Sequence, residues 1–232
     1  MIAIPPVDGL TIGAALRRAA AHNPNREALV FQQGGFRATY AEYDRQVDEV
    51  ARALMAMNIQ RGDHVAVWAT NWPEWTLLFM AAARVGAVLV TVNPAYRTHE
   101  LAYALRQSDT KALFLIDRFK SSDYQAMIAE VRDELPELRW VVSMKDTAPA
   151  GVVSWPDFVG LGESVPAEEL EEREAELSPG DPINLQYTSG TTGFPKGVLL
   201  SHRSILLNAW YVGASQGLGP ADRVCVPVPF YH

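Results

Sequence analysis

An α/β fold, built on a mostly parallel sheet flanked by helices, is what this 232-residue chain predicts, on two observations. Between positions 64 and 144 the apolar runs "HVAVWA", "AVLVTV", "KALFLI" and "RWVVSM" alternate with segments whose apolar residues recur at helical spacing. Strands that are apolar along their whole length belong to sheets covered on both faces, and the intervening helices supply the crossovers of a parallel sheet. Composition agrees: 48% apolar and 20% charged residues describe an ordinary globular protein able to bury a sizeable core.

The elements follow in chain order. A helix is expected over 11–22, then two extended pieces, "EALVF" and "FRAT", around a turn at 33–35. Thr39 followed by Glu42 is a capping-box signature, and Val47, Val50, Ala51, Leu54 and Met57 continue a helix to the turn near Gly62. "HVAVWA" is a strand, 72–84 a helix with Pro73 in its first turn, and "AVLVTV" a strand. Trp72, Trp75, Phe79 and Met80 sit at helical spacing and read as core packing. A helix over 98–107, the strand "KALFLI", a helix over 123–135 and the strand "RWVVSM" repeat the rhythm. The acidic stretch "ESVPAEELEEREAELSPGD" reads as a solvated linker or exposed helix, dividing the chain into a first subdomain, 1–162, a linker, 163–181, and the start of a second subdomain, 182–232. After it come the strand "INLQYT", a loop, the strand "GVLLS", a helix over 202–214 capped by Ser201, and "RVCVPVP" as a final strand with Cys225 a small buried hydrophobe.

Several function classes are disfavoured. A net charge of −7 with no cluster of Lys and Arg gives no support to a nucleic-acid partner. A single cysteine excludes an intramolecular disulfide framework and fits a reducing compartment, and the N-terminus lacks the basic-then-apolar pattern of a secretory signal, so a cytoplasmic location is the expectation. The one apolar stretch long enough to raise the question of a membrane span, 76–92, carries Arg84 at its centre, where a charge costs at least about 2.5 kcal/mol, so no transmembrane segment is expected. His22, His64, His99 and His202 show no metal-ligand spacing.

The chemistry concentrates in "YTSGTTGFPKG". Gly190, Gly193 and Gly197 free the backbone to converge N–H groups on an anion, Thr188, Ser189, Thr191 and Thr192 add hydroxyl donors, and Lys196 adds positive charge. Pro195 keeps its predecessor out of the helical region, so the lysine is presented from a loop. The stretch is not G-x-x-x-x-G-K-[ST]: Pro195 precedes Lys196 and Gly197 follows it, so a glycine and a magnesium-binding hydroxyl are missing. No G-x-G-x-x-G occurs. The residues by themselves leave two readings, an unusual phosphate-binding loop or a flexible hairpin connection.

The string "YTSGTTGFPKG", continued by "GVLLSHRSI", resembles the phosphate-binding signature of the adenylate-forming superfamily, and "DPINLQYTSGTTGFPKG" is most similar to medium- and long-chain fatty acyl-CoA synthetases. Residues 71–109 and the terminal "PVPFYH" extend the resemblance over essentially the whole chain. The resemblance implies the N-terminal part of the large domain of that fold, and a reaction in which a fatty acid carboxylate attacks the α-phosphate of ATP before the acyl group passes to coenzyme A. It assigns Thr188, Ser189, Gly190, Thr191, Thr192 and Gly193 to a phosphate cradle, Lys196 to the pyrophosphate charge, Thr188 to Mg²⁺ as well, and His232 to the acyl and adenylate site. It also implies a pattern that continues well past His232, so the expectation is an N-terminal piece, inactive alone and prone to self-association through uncovered apolar strands. The alternative is a stand-alone ATP- or phosphate-binding module, or an interaction protein derived from a synthetase half.

Overall fold

The structure is a computed structural model and describes residues 4–188 and 195–231. Helix α1 (Ile12–His22) starts where the Thr11 hydroxyl accepts the Ala14 N–H at 3.1 Å. Strands β1 (Glu27–Val30) and β2 (Arg37–Thr39) pair antiparallel. Helix α2 (Tyr40–Ala56) opens on the expected capping box: Thr39 Oγ1 accepts the Glu42 N–H, and the Glu42 carboxylate accepts the Thr39 N–H. Then come β3 (His64–Trp68), α3 (Pro73–Val85), β4 (Val88–Thr91), α4 (Thr98–Gln107) and β5 (Ala112–Leu115). A small hairpin of β6 (Arg118–Phe119) and β7 (Ser122–Asp123) leads into α5 (Tyr124–Val131), β8 (Trp140–Ser143), α6 (Trp155–Leu161) and α7 (Ala167–Ala175). The chain continues through β9 (Pro182–Thr188), β10 (Lys196–Ser201) and α8 (His202–Ser215).

Six strands form one sheet in the order β10-β9-β4-β3-β5-β8. The five from β9 to β8 run parallel, and β10 turns back antiparallel at the edge. Strands β4 and β5 are buried at every position, as their continuous apolar sequences require.

Arg84, from the middle of the apolar stretch, is fully buried on α3. Its guanidinium pairs with Asp44, reaches Asp48 at 2.5 Å on α2 and the Asp44 carbonyl at 3.0 Å, and lies 3.9 Å from Glu174 on α7. Arg17 on α1 closes the group, bonding Asp48 at 3.0 Å and Glu174 at 2.7 Å. Gly13 is what lets α1 sit here, because a Cβ at that position would fall 2.4 Å from the Glu174 carboxylate and 2.9 Å from Arg84 Cγ.

One feature refines the sequence expectation and one departs from it. The acidic stretch contains helix α7, whose Leu170 is buried in the main core while Glu174 ties it to α1 and α3. One apolar residue among glutamates is too weak a periodic signal to read from sequence, yet it suffices once the buried Arg84 requires a carboxylate. The run "RVCVPVP" is not a strand, and Cys225 is exposed rather than buried. Pro227 and Pro229 have no N–H to offer a ladder, and no described strand pairs with the run.

The start of the acidic stretch is fixed as tightly as its middle. A Cβ on Gly162 would stand 2.8 Å from the Ala53 nitrogen and the Glu49 carbonyl oxygen, both backbone atoms of α2 that cannot rotate away. Gly162→Ala is therefore expected to destabilise the fold by about 2 kcal/mol, in the range of an overpacked core. Urea unfolding checks this, and a midpoint equal to that of the parent protein refutes the close contact.

Candidate active site

Parallel strands end together at one edge of the sheet, and in open α/β sheets ligands bind outside these carboxyl ends. Strand β9 ends there at Thr188, and β10 departs from Lys196, with the two residues paired across the hairpin. The Thr188 hydroxyl donates to the Lys196 carbonyl at 3.3 Å. Both side chains are exposed, and among the described residues no carboxylate forms an ion pair with Lys196. The hairpin thus closes the loop at a base carrying one hydroxyl and one unneutralised ammonium. Ser189, Gly190, Thr191, Thr192, Gly193 and His232 lie outside the described residues.

The rest of the edge is held by side chains that bond to backbone. After β4, the turn at Asn93 and Pro94 is gripped twice: the Trp68 indole N–H donates to the Asn93 carbonyl at 3.1 Å, and the Tyr124 hydroxyl donates to the Pro94 carbonyl at 2.6 Å. The two rings stack with centroids 3.5 Å apart. Burial pushes the Tyr124 hydroxyl above the ordinary tyrosine range, so it stays a donor at any physiological pH. Tyr187, on the opposite side of β9 from Thr188, donates to the Ala104 carbonyl of α4 at 2.9 Å, and burial raises its hydroxyl to about 12.

The terminal segment joins this edge. Gln186, two residues before Thr188, donates its side-chain N–H to the Tyr231 carbonyl. Asn71, just past β3, donates to the Val228 carbonyl at 2.9 Å and accepts the Phe230 N–H at 2.8 Å. The Phe230 ring packs on Trp75 at 5.3 Å and Phe31 at 6.1 Å. The base of the hairpin at Thr188 and the described terminal residues 228–231 are brought together through Gln186. Neither Asn71 nor Gln186 carries a motif signal; only the fold shows their partners, 157 to 159 residues and 45 residues away respectively. Among the described residues no three His, Cys, Asp or Glu side chains converge as metal ligands.

At its other end the hairpin is anchored to the body of the protein. His202, the first residue of α8, is fully buried, and its Nδ1 accepts the Ile12 N–H of α1 at 3.2 Å. Burial lowers its pKa to about 4, against the opposing pull of the Asp181 carboxylate. Asp181 itself is held below the usual carboxylate range: burial works to raise it, but the Ser178 N–H and the Arg61 guanidinium, at 2.8 and 2.9 Å, outweigh that.

The described residues thus set one hydroxyl and one ammonium at the carboxyl edge of the parallel sheet of an α/β protein. The AMP-binding enzyme family matches residues 16–232, and the chain belongs to that family. YngI of Bacillus subtilis is 40% identical over 235 residues, covering 96% of this chain and 43% of its own length. The mitochondrial medium-chain acyl-CoA ligase ACSF2 of Danio rerio is 36% identical over 242 residues, covering 98% of this chain and 40% of its own length. Among solved structures, the acetoacetyl-CoA synthetase from Streptomyces lividans superposes with a TM-score of 0.79 at 29% identity, over 97% of this chain and 35% of that one. The chain therefore spans about two fifths of the length of the curated relatives it matches. No described helix is long and apolar enough to cross a membrane.

His202 makes stability depend on pH. Its folded-state pKa lies below the ordinary value of 6.5, so between about pH 6.5 and pH 4 the unfolded chain binds a proton that the folded chain refuses. Stability is expected to fall as the pH is lowered through that window, by about 3 kcal/mol for this group. Urea midpoints from pH 7 to pH 4 measure it: the slope should flatten in His202→Gln, and identical slopes in the two proteins defeat the assignment.

Proposed function

We propose that this chain is the N-terminal part of a fatty acid–CoA ligase. The longer protein would join a fatty acid carboxylate to the α-phosphate of ATP with release of pyrophosphate, then transfer the acyl group to the thiol of coenzyme A. The observation that carries this reading is the register of the hairpin, which sets Thr188 beside Lys196 at the mouth of the loop. Family membership and acyl-CoA ligase relatives support it.

The residues fit a polyphosphate. Among the described residues the Thr188 hydroxyl and the Lys196 ammonium are donors without a competing carboxylate, and charge building on departing pyrophosphate is stabilised by donors fixed in advance. In this reading Ser189, Gly190, Thr191, Thr192 and Gly193 complete the cradle, Lys196 follows the pyrophosphate charge, and His232 lines the acyl and adenylate side. Mg²⁺ would be held mostly by phosphate oxygens with the Thr188 hydroxyl, and when bound it neutralises charge on the phosphates. Residues 182–232 open a second subdomain after the acidic segment 163–181, and the protein works in the cytoplasm.

Two measurements test the reading. In titration calorimetry the 232-residue chain should bind ATP–Mg, and Lys196→Ala should weaken binding by roughly 10-fold, as expected for a charge-assisted contact. Equal affinity in the two proteins removes Lys196 from the site. ATP–pyrophosphate exchange with decanoate should stay at background for the chain alone; ordinary turnover would show that it needs nothing further.

Exposed apolar residues support the expectation of self-association. Val198 and Leu199 on β10, Tyr211 and Val212 on α8, and Val224, Val226 and Val228 after it all stand open. Light scattering should show a mass that rises with concentration and a smaller rise in Leu199→Glu. A constant monomer mass in the parent protein rules this out.

A further inference from the structure

The segment 228–231 reaches the carboxyl edge of the sheet without pairing to a strand. Its backbone groups are met instead by two side-chain amides. Asn71 supplies a donor to Val228 and an acceptor to Phe230, the two bonds a neighbouring strand would have made on either side of Pro229. Gln186 supplies a donor to the next carbonyl, that of Tyr231. Phe230 is wedged between Trp75, in the first turn of α3, and Phe31, just past β1, which fixes the segment from the apolar side.

The two amides stand where they can set a distance. Asn71 follows β3, between Thr70 and Trp72, whose side chains bond each other at 3.1 Å. Gln186 is held within β9 between Thr91 of β4 and Val198 of β10. Side chains along a strand alternate, so Gln186 and Thr188 project to the same face while Tyr187 projects to the other. The Tyr231 carbonyl is therefore tied to the face of β9 that presents the Thr188 hydroxyl. Packing alone would keep Phe230 in place but would let the segment slide along β9; directional hydrogen bonds from rigid strand ends prevent this.

We propose that Asn71 and Gln186 are positioning residues that fix the segment 228–231 against the Thr188–Lys196 hairpin, and so set the separation between the carboxylic acid and the phosphate loop. This rests on the ligase reading above, in which that segment forms the acyl side of the site. Neither residue touches the reacting atoms. Misplacing reacting groups by about 1 Å can cost on the order of 10²-fold in rate, so a modest shift of the segment is enough to register.

Asn71→Asp and Gln186→Glu keep the size of each side chain but replace the N–H donor with an oxygen facing a carbonyl, and Asn71→Ala removes both contacts of Asn71. In the full-length ligase, ATP–pyrophosphate exchange should show the KM for decanoate raised about 10-fold or more in the two isosteric variants, with the KM for ATP within about 2-fold of the parent. An unchanged decanoate KM, or an ATP KM rising in step, overturns the proposal. Hydrogen exchange on the 232-residue chain tests the clamp independently: the Phe230 amide should be protected in the parent and exchange at least about 10-fold faster in Asn71→Ala. Equal exchange in the two overturns it. A parent enzyme that gives no pyrophosphate exchange with any carboxylic acid sinks the ligase reading, and protection of the Phe230 amide then decides by itself whether the clamp exists.

Discussion

A guanidinium removed from water obliges the protein to surround it, and Arg84 imposes that obligation on half the fold. Its carboxylate partners come from two helices, Asp44 and Asp48 on α2 and Glu174 on α7, and Arg17 of α1 shares them. Breaking such a group by removing one partner is costly because a buried charge is left uncompensated, whereas the intact group adds little net stability. Its contribution is therefore one of arrangement. It leaves α1, α2, α3 and α7 one mutual placement, and Gly13 shows how close that placement is.

The consequence runs on to the site. Helix α7 ends at Ala175, and Asp181, bridged by Arg61 from the turn before β3, leads directly into β9. Glu174 thus settles the level at which the chain re-enters the sheet, and β9 then pairs with β4 in a register that carries Thr188 past the end of β4, where it pairs with Lys196 of β10. On the far side of the hairpin His202 returns to α1 through the Ile12 N–H. The hairpin from Thr188 to Lys196 is thus anchored through Asp181 and His202 to parts of the fold that adjoin the charged group.

The sequence exposes those parts of this design that depend on near neighbours. The capping box at Thr39 and Glu42, the apolar strands and the Gly/Thr/Lys loop are patterns within a few residues, and they correspond to α2, the central sheet and the β9–β10 hairpin. What depends on distant partners is not legible there. In the sequence Arg84 speaks only against a membrane span and gives no sign of a hub, because its carboxylates lie 36 to 90 positions away in the chain. Asn71 and Gln186 read as ordinary polar residues. "RVCVPVP" has the composition of a strand and lacks the partner that makes one, which no local pattern can reveal.

That last case bears on how the edge of the sheet operates. A strand pairing would have locked 223–229 to a neighbour along its length, whereas side-chain amides hold the chain at three backbone atoms, of Val228, Phe230 and Tyr231. Val224, Val226 and Val228 are left open while Phe230 is fixed. The segment is tied by backbone hydrogen bonds where it meets the hairpin and, nearer α8, by the Arg223–Glu27 ion pair. A segment held this way can be placed accurately beside the Thr188–Lys196 hairpin without being part of the sheet, so its position relative to Lys196 is set by two amide side chains and can be altered by changing either one.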